Sequence, residues 1–162
     1  MNTKFDILNK KIAESQKYPK TSYVIIIPIL IILFLFLFSV DIWFQLFLGL
    51  VLIILLLSMF YLVFAKFEIE MNSFGISYGV KPFGRTKHIP SDEILNIKVI
   101  TFNFIGTFGG WGVRKRKGKK AYIFNDEKFL LVKTSDTEYY FSIKNKTQFD
   151  ELIQIYFGAT NL

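Results

Sequence analysis

Cysteine is absent from the 162 residues, and histidine occurs once, at His88. The first absence excludes a disulfide framework, a thiolate metal site and a cysteine nucleophile, and it leaves the redox compartment open. The second removes most histidine metal sites and catalytic triads. The sequence also lacks a Gly-x-x-x-x-Gly-Lys-Ser/Thr phosphate loop and a zincin helix. Its one glycine-rich stretch, "GTFGGWG", has neither the spacing nor the strand-to-helix setting of a dinucleotide fingerprint, and it reads as tight backbone around Trp111. Charge is missing over one long segment: between Lys20 and Lys66 the only charged residue is Asp41.

What is present is apolar surface and positive charge. Hydrophobic residues make up 52% and aromatic residues 18%, with a formal net charge of +7. That is more apolar surface than a soluble domain of this size keeps from water. The basic residues fall into an N-terminal group (Lys4, Lys10, Lys11, Lys17 and Lys20, against Asp6 and Glu14) and the part that follows Lys66.

The apolar excess is concentrated in two runs, "SYVIIIPILIILFLFLFSV" over 22–40 and "IWFQLFLGLVLIILLLSMFYLVFA" over 42–65. Each approaches or exceeds the roughly 20 residues that a helix needs to cross a bilayer core of about 30 Å. A single long helix would hold Asp41 at the bilayer centre, at a cost of about 3 kcal/mol or more. Two transmembrane helices with Asp41 in an external turn avoid it. The first run is too long for a signal-peptide core, lacks an Ala-x-Ala-like site and leads directly into the second. Lysines flank the pair and none lies in the turn, so residues 1–21 read as a basic cytoplasmic tail and both termini as cytoplasmic. Tyr23, Trp43 and Tyr61 stand where rings favour the headgroups, Pro28 is expected to kink the first helix, and Gln45 could bond across the pair.

After Ala65 the period changes. "KFEIEM" alternates apolar with charged residues, as a half-buried strand does, and "NSFG" turns the chain into "ISYGV". Further strands are expected at 85–89, 94–102, 112–116, 120–124, 129–134 and 138–143, separated by turns such as "IGTFGG", "KG", "NDE" and "SDT". Short, regularly spaced strands argue for an antiparallel sandwich or barrel. In "NKTQFDELIQIYF", Phe149, Leu152, Ile153, Tyr156 and Phe157 fall at helical spacing. Asn145 is placed to cap that helix and Gly158 to stop it.

Two apolar spans, "GGWGVR", a basic glycine-containing turn, a hairpin ending "YYFSIKN" and a final "FDELI" helix resemble the small bacterial membrane proteins with a PH-like (pleckstrin-homology-like) domain. The resemblance runs from Thr21 to Phe157. It implies a membrane α-helical hairpin plus an α+β PH-like domain over 66–162: an antiparallel six- or seven-stranded barrel or sandwich, capped by a C-terminal amphipathic helix. It also implies a multi-pass protein of the bacterial cytoplasmic (inner) membrane. It implies neither catalysis nor defined binding residues.

Two clusters could carry chemistry. "HIPSDEI" gathers His88, Ser91, Asp92 and Glu93, but a catalytic role needs a base oriented by a partner within a pocket, which spacing alone does not supply. No catalytic residue, cofactor or metal is expected. The second cluster is Arg114, Lys115, Arg116, Lys117, Lys119 and Lys120 around Gly118. Alternate strand residues face opposite sides, so the six cannot share one face, yet a turn near Lys117 and Gly118 projects several together. Such a tip can solvate an exposed edge. It can also meet an anionic leaflet, where each close cation contributes about 1 kcal/mol. Nucleic-acid contact through Trp111, Tyr122 and Phe124 is disfavoured by the anchor and by the use of such rings in a core. The expected function is a membrane-anchored, non-catalytic interaction or scaffold module, with anionic-lipid or small-ligand recognition at the tip as the alternative. The expected partners are the lipid bilayer and a membrane protein or a second copy of the chain.

Overall fold

A computed structural model describes residues 10–24, 26–38, 40–124 and 128–158. Lys4 and Asp6 of the basic segment, positions 25 and 39 of the first apolar run, the side chain of Tyr23, the "NDE" turn at 125–127 and positions 159–162 lie outside the described residues. The chain divides into two compact units: Tyr18–Ala65 is one, and the flanking parts, Met1–Lys17 with Lys66–Leu162, together form the other.

The apolar unit contains α1 (Thr21–Val24), α2 (Ile26–Leu37) and α3 (Ile42–Phe64), and α2 lies against α3. Asp41 starts α3: its carboxylate accepts from Trp43 N at 3.1 Å and Phe44 N at 3.2 Å, satisfying two backbone donors that a helix start leaves open. The 23 residues of α3 extend about 34 Å, and among the described helices this is the one long and apolar enough to cross a membrane. Pro28 lies in α2. The Gln45 amide donates to Val40 O at 3.1 Å, just before its own helix.

The other unit is α+β. Its strands are β1 (Ile12–Lys17), β2 (Lys66–Asn72), β3 (Gly75–Lys81), β4 (Lys87–Pro90), β5 (Asn96–Ile100), β6 (Gly112–Arg116), β7 (Lys119–Ile123), β8 (Lys128–Lys133) and β9 (Glu138–Ile143). A short helix α4 (Phe104–Phe108) precedes β6, and α5 (Lys146–Phe157) follows β9. One sheet has the order β1-β2-β3-β4, the other β5-β8-β9-β7-β6. The expected count of six or seven strands falls short of the nine described, and the expected all-antiparallel pairing is broken by β7 and β9, which run parallel.

One of the added strands comes from the segment read as a tail. Residues 12–17 pair antiparallel with β2, Ile12 opposite Met71 and Lys17 opposite Lys66. Gln16 holds the core position where an apolar residue would stand. It is fully buried, its amide donates to Ser142 O at 2.8 Å, and its carbonyl accepts from Ser142 Oγ at 2.8 Å. Ser142 Oγ also accepts from Phe124 N at 3.0 Å, so both buried polar side chains are paired. Glu14 accepts from Lys144 N and Asn145 N, each at 2.8 Å, tying β1 to the start of α5. Asn145 caps α5 by accepting from Gln148 N at 3.3 Å.

The five-stranded sheet is apolar on both faces, which is why "AYIF" and "FLLV" read as continuous hydrophobic runs and not as alternation. On the face toward the other sheet, Phe67 stacks on Tyr122, Phe124 and Phe141, and Tyr78 packs on Tyr122, Tyr139 and Phe141. On the opposite face, Ala121, Ile123, Phe129 and Tyr140 form a second core with Phe104 and Phe108 of α4, joined by Phe102 and Trp111. The stretch read as the turn "IGTFGG" is therefore a helical flap, capped by Asn103 Oδ1, which accepts from Gly106 N, and ended by Gly109 at φ 78°. Burying Phe104 and Phe108 contributes about 1.5–3 kcal/mol each. The Nε1–H of Trp111 is buried with no acceptor among the described residues, a cost of about 1–3 kcal/mol offset by packing of the ring.

Candidate functional site

The basic cluster lies on the β6–β7 hairpin. Lys117 at φ 33° and Gly118 at φ 74° form its two-residue loop, and both have the left-handed backbone that a type I′ turn requires. Glycine meets that requirement without strain at one of the two positions. Gly118 O accepts from Glu138 N at 2.9 Å, which anchors the turn to the start of β9.

Register divides the six cations as strand alternation requires. Arg116 opposes Lys119 and Arg114 opposes Ala121, placing Arg114, Arg116 and Lys119 on the flap side, while Lys115 opposes Lys120 on the other. Lys117 projects from the turn itself. Two of the six make a hydrogen bond or ion pair, and a third lies over an aromatic ring. Arg116 Nη1 donates to Thr107 O at 2.8 Å, holding the flap to the hairpin. Lys119 Nζ lies 3.3 Å from Glu138 Oε2, which also accepts from Tyr140 Oη at 3.0 Å. The tyrosine bond, followed by the lysine, holds the Glu138 carboxyl below the usual carboxylate range, and the bond to Glu138 raises the Lys119 ammonium. Lys120 Nζ lies 5.2 Å from the centre of the Tyr139 ring, within range of its negative face. Among the described residues no carboxylate pairs with Arg114, Lys115, Arg116, Lys117 or Lys120.

A surface groove of about 410 Å³ runs between the flap and β6, lined by Ile105, Thr107, Phe108 and Gly109 opposite Arg114 and Arg116. Ile105 is 59% exposed and Val113 48% exposed, so the cations sit beside uncovered apolar side chains. Sequence reading missed the flap's part in this site because a five-residue helix with a central glycine carries too little periodicity to register. It missed Glu138 because cross-strand pairing is non-local.

The second cluster is not drawn together. His88 is exposed on β4, its Nδ1 3.0 Å from Ser77 Oγ, and no carboxylate orients it among the described residues. Ser91, Asp92 and Glu93 form a single 3₁₀ turn beyond it. A shallow pocket of about 350 Å³ on the outer face of the four-stranded sheet is lined by Glu68, Glu70, Ser77, Lys81 and Thr86 and excludes His88. Among the described residues no three metal-ligating side chains converge.

The class defined by these observations is an α+β domain joined to an apolar helical unit, one helix of which is long enough to cross a membrane. Comparison with protein-family models, with curated proteins and with solved structures returns no match.

Proposed function

We propose that this chain is a membrane-anchored, non-catalytic interaction module, in which a two-span hairpin carries a PH-like domain on the cytoplasmic side of a bacterial inner membrane. The observation that carries the reading is the pairing of Lys17 with Lys66 across the β1–β2 ladder. The whole apolar unit is thus inserted between the two facing residues of one rung, so the chain leaves the domain and returns to it at one place. If α3 crosses the bilayer, the segment before Asp41 has to cross as well, or the ladder could not form. Lysines on both sides of the insertion and none in its turn favour the cytoplasm for the domain and both termini. Two packed sheets followed by a C-terminal helix support the PH-like assignment, with β1 and the parallel β7–β9 pair as departures from its usual strand plan. The exposed basic hairpin supports binding over catalysis, since it offers charge and an open surface in place of an oriented acid–base pair.

The test is crosslinking in intact cells, then purification in mild detergent and mass measurement. The expected product is a specific hetero-complex with a membrane protein or a homo-oligomer. A product consisting only of monomers sinks the reading.

A further inference from the structure

Each sheet edge is a row of backbone groups that has to be covered, shortened or guarded. Three of the four edges are. β1 is tied by Glu14 and Gln16 to the segment joining β9 and α5. β4 has four residues and ends at Pro90, which has no N–H to offer. β5 has α5 packed on it. The fourth, β6, is the last strand of its sheet, Val113, Arg114, Lys115 and Arg116 are all exposed, and among the described residues no strand pairs with its outer side.

The hairpin turn sets which groups that edge presents. A two-residue loop makes Arg116 and Lys119 a hydrogen-bonded pair, and pairs alternate along an antiparallel ladder. Arg116 and Arg114 therefore bond inward to β7, and Val113 and Lys115 direct N–H and C=O outward, about 6.8 Å apart. The flap touches β6 through Arg116 and Thr107 but adds no strand to its outer side, and among the described residues the guard that remains on that side is positive charge. An occupant of the opposite sign removes that guard and takes up the backbone groups in one step.

We propose that β6 is a docking strand for an extended, acidic segment of a partner protein, which adds to the sheet edge at Val113 and Lys115 and sets carboxylates against Arg114, Lys115 and Lys117. This rests on the reading of the chain as an interaction module and names the surface and the partner's chemistry. A second strand supplies both donors and acceptors at the spacing the edge requires. A lipid phosphate supplies acceptors alone and leaves the outward carbonyls of Val113 and Lys115 unmet. Ile105 and Val113, uncovered beside the cations, suit a segment whose acidic residues alternate with apolar ones.

The test uses the full chain in neutral-lipid nanodiscs and a labelled eight-residue peptide of alternating Glu and Val. Expected are saturable binding, slowed hydrogen exchange at the Val113 and Lys115 amides, and affinity about tenfold weaker for Lys115→Glu or for a peptide N-methylated at alternate bonds. Val113→Pro, which removes one outward donor and leaves the pairing with β7, is expected to weaken binding similarly. Equal binding by the N-methylated peptide reduces the site to charge and overturns the proposal, as does the absence of saturable binding. Complete displacement of the peptide by anionic vesicles, but not by neutral ones, assigns the hairpin to lipid and also overturns it. A crosslinked partner whose yield is unchanged by Lys115→Glu and Val113→Pro overturns the docking strand but leaves the interaction reading standing. Monomers alone overturn that reading itself.

Discussion

Tyr78 packs edge-on against Tyr122 at 5.0 Å and tilts over Phe141 at 4.7 Å, so its phenol sits among rings between the two sheets. Burial, reinforced by the neighbouring phenols of Tyr122 and Tyr139, pushes its ionisation well above the ordinary value of 10.0. Tyr122 moves in the same direction, again chiefly through burial. An unfolded chain ionises these phenols near 10.0 and the folded one only at higher pH, so their contribution to stability is whole below pH 10.0 and falls as pH rises above it. Alkaline titration, followed by tyrosinate absorbance and circular dichroism together, is expected to show the last phenols ionising only as the fold is lost. Tyr78→Phe is expected to move the onset of unfolding to higher pH. Full ionisation of every tyrosine with the spectrum of the folded state retained contradicts the burial argument.

The elements that could be read from the sequence are those whose pattern is local. The helix at Lys146–Phe157 shows its apolar stripe in five residues, and the loop at Lys117 and Gly118 shows itself by a glycine between charges. β1 did not, because one of its two buried positions is Gln16 and the whole apolar unit, Tyr18–Ala65, separates it from its partner strand. No periodicity argument foresees a glutamine whose burial is offset by a serine on a different sheet. The parallel β7–β9 pair was hidden likewise, since alternation tells which residues share a face but not which strands are neighbours. Of the candidate site, the cations were legible and their partners Thr107 and Glu138 were not.

β1 is also paired into the domain, so a cut at Lys66 is expected to destabilise the fold. A fragment of residues 66–162 loses the outer strand of one sheet, the bonds to Ser142, and the carboxylate on Lys144 N and Asn145 N. Buried groups left without partners cost about 1–3 kcal/mol each, a large fraction of a small domain's stability. That fragment is expected to give poorly dispersed amide spectra. Because Lys17 and Lys66 face each other, replacing 18–65 with a short Asn-Gly turn is expected to restore a dispersed spectrum and a cooperative melt. A well-folded 66–162 fragment refutes the structural role given to β1.

At the scale of the whole molecule, the two units are joined by two chain connections that leave one rung, Lys17 opposite Lys66, and that count constrains the proposed topology more tightly than hydropathy does. Among the described residues α3 alone passes a length test for crossing. Judged one helix at a time, the chain would be assigned a single span, with residues 12–17 and the β-domain on opposite sides of the membrane. The β1–β2 ladder forbids that arrangement, because strands on opposite sides of a bilayer cannot pair. A crossing by α3 thus requires a compensating crossing by residues 18–41, whose 24 positions are enough to span about 30 Å. The absence of cysteine allows single reporters without background. Val40→Cys is expected to react with a membrane-impermeant maleimide in intact cells, and Lys117→Cys only after permeabilisation. Labelling of both from the same side means that α3 does not cross, and the two-span anchor falls with it. Labelling of Lys117→Cys in intact cells and of Val40→Cys only after permeabilisation keeps the hairpin but inverts it, and so removes the cytoplasmic assignment.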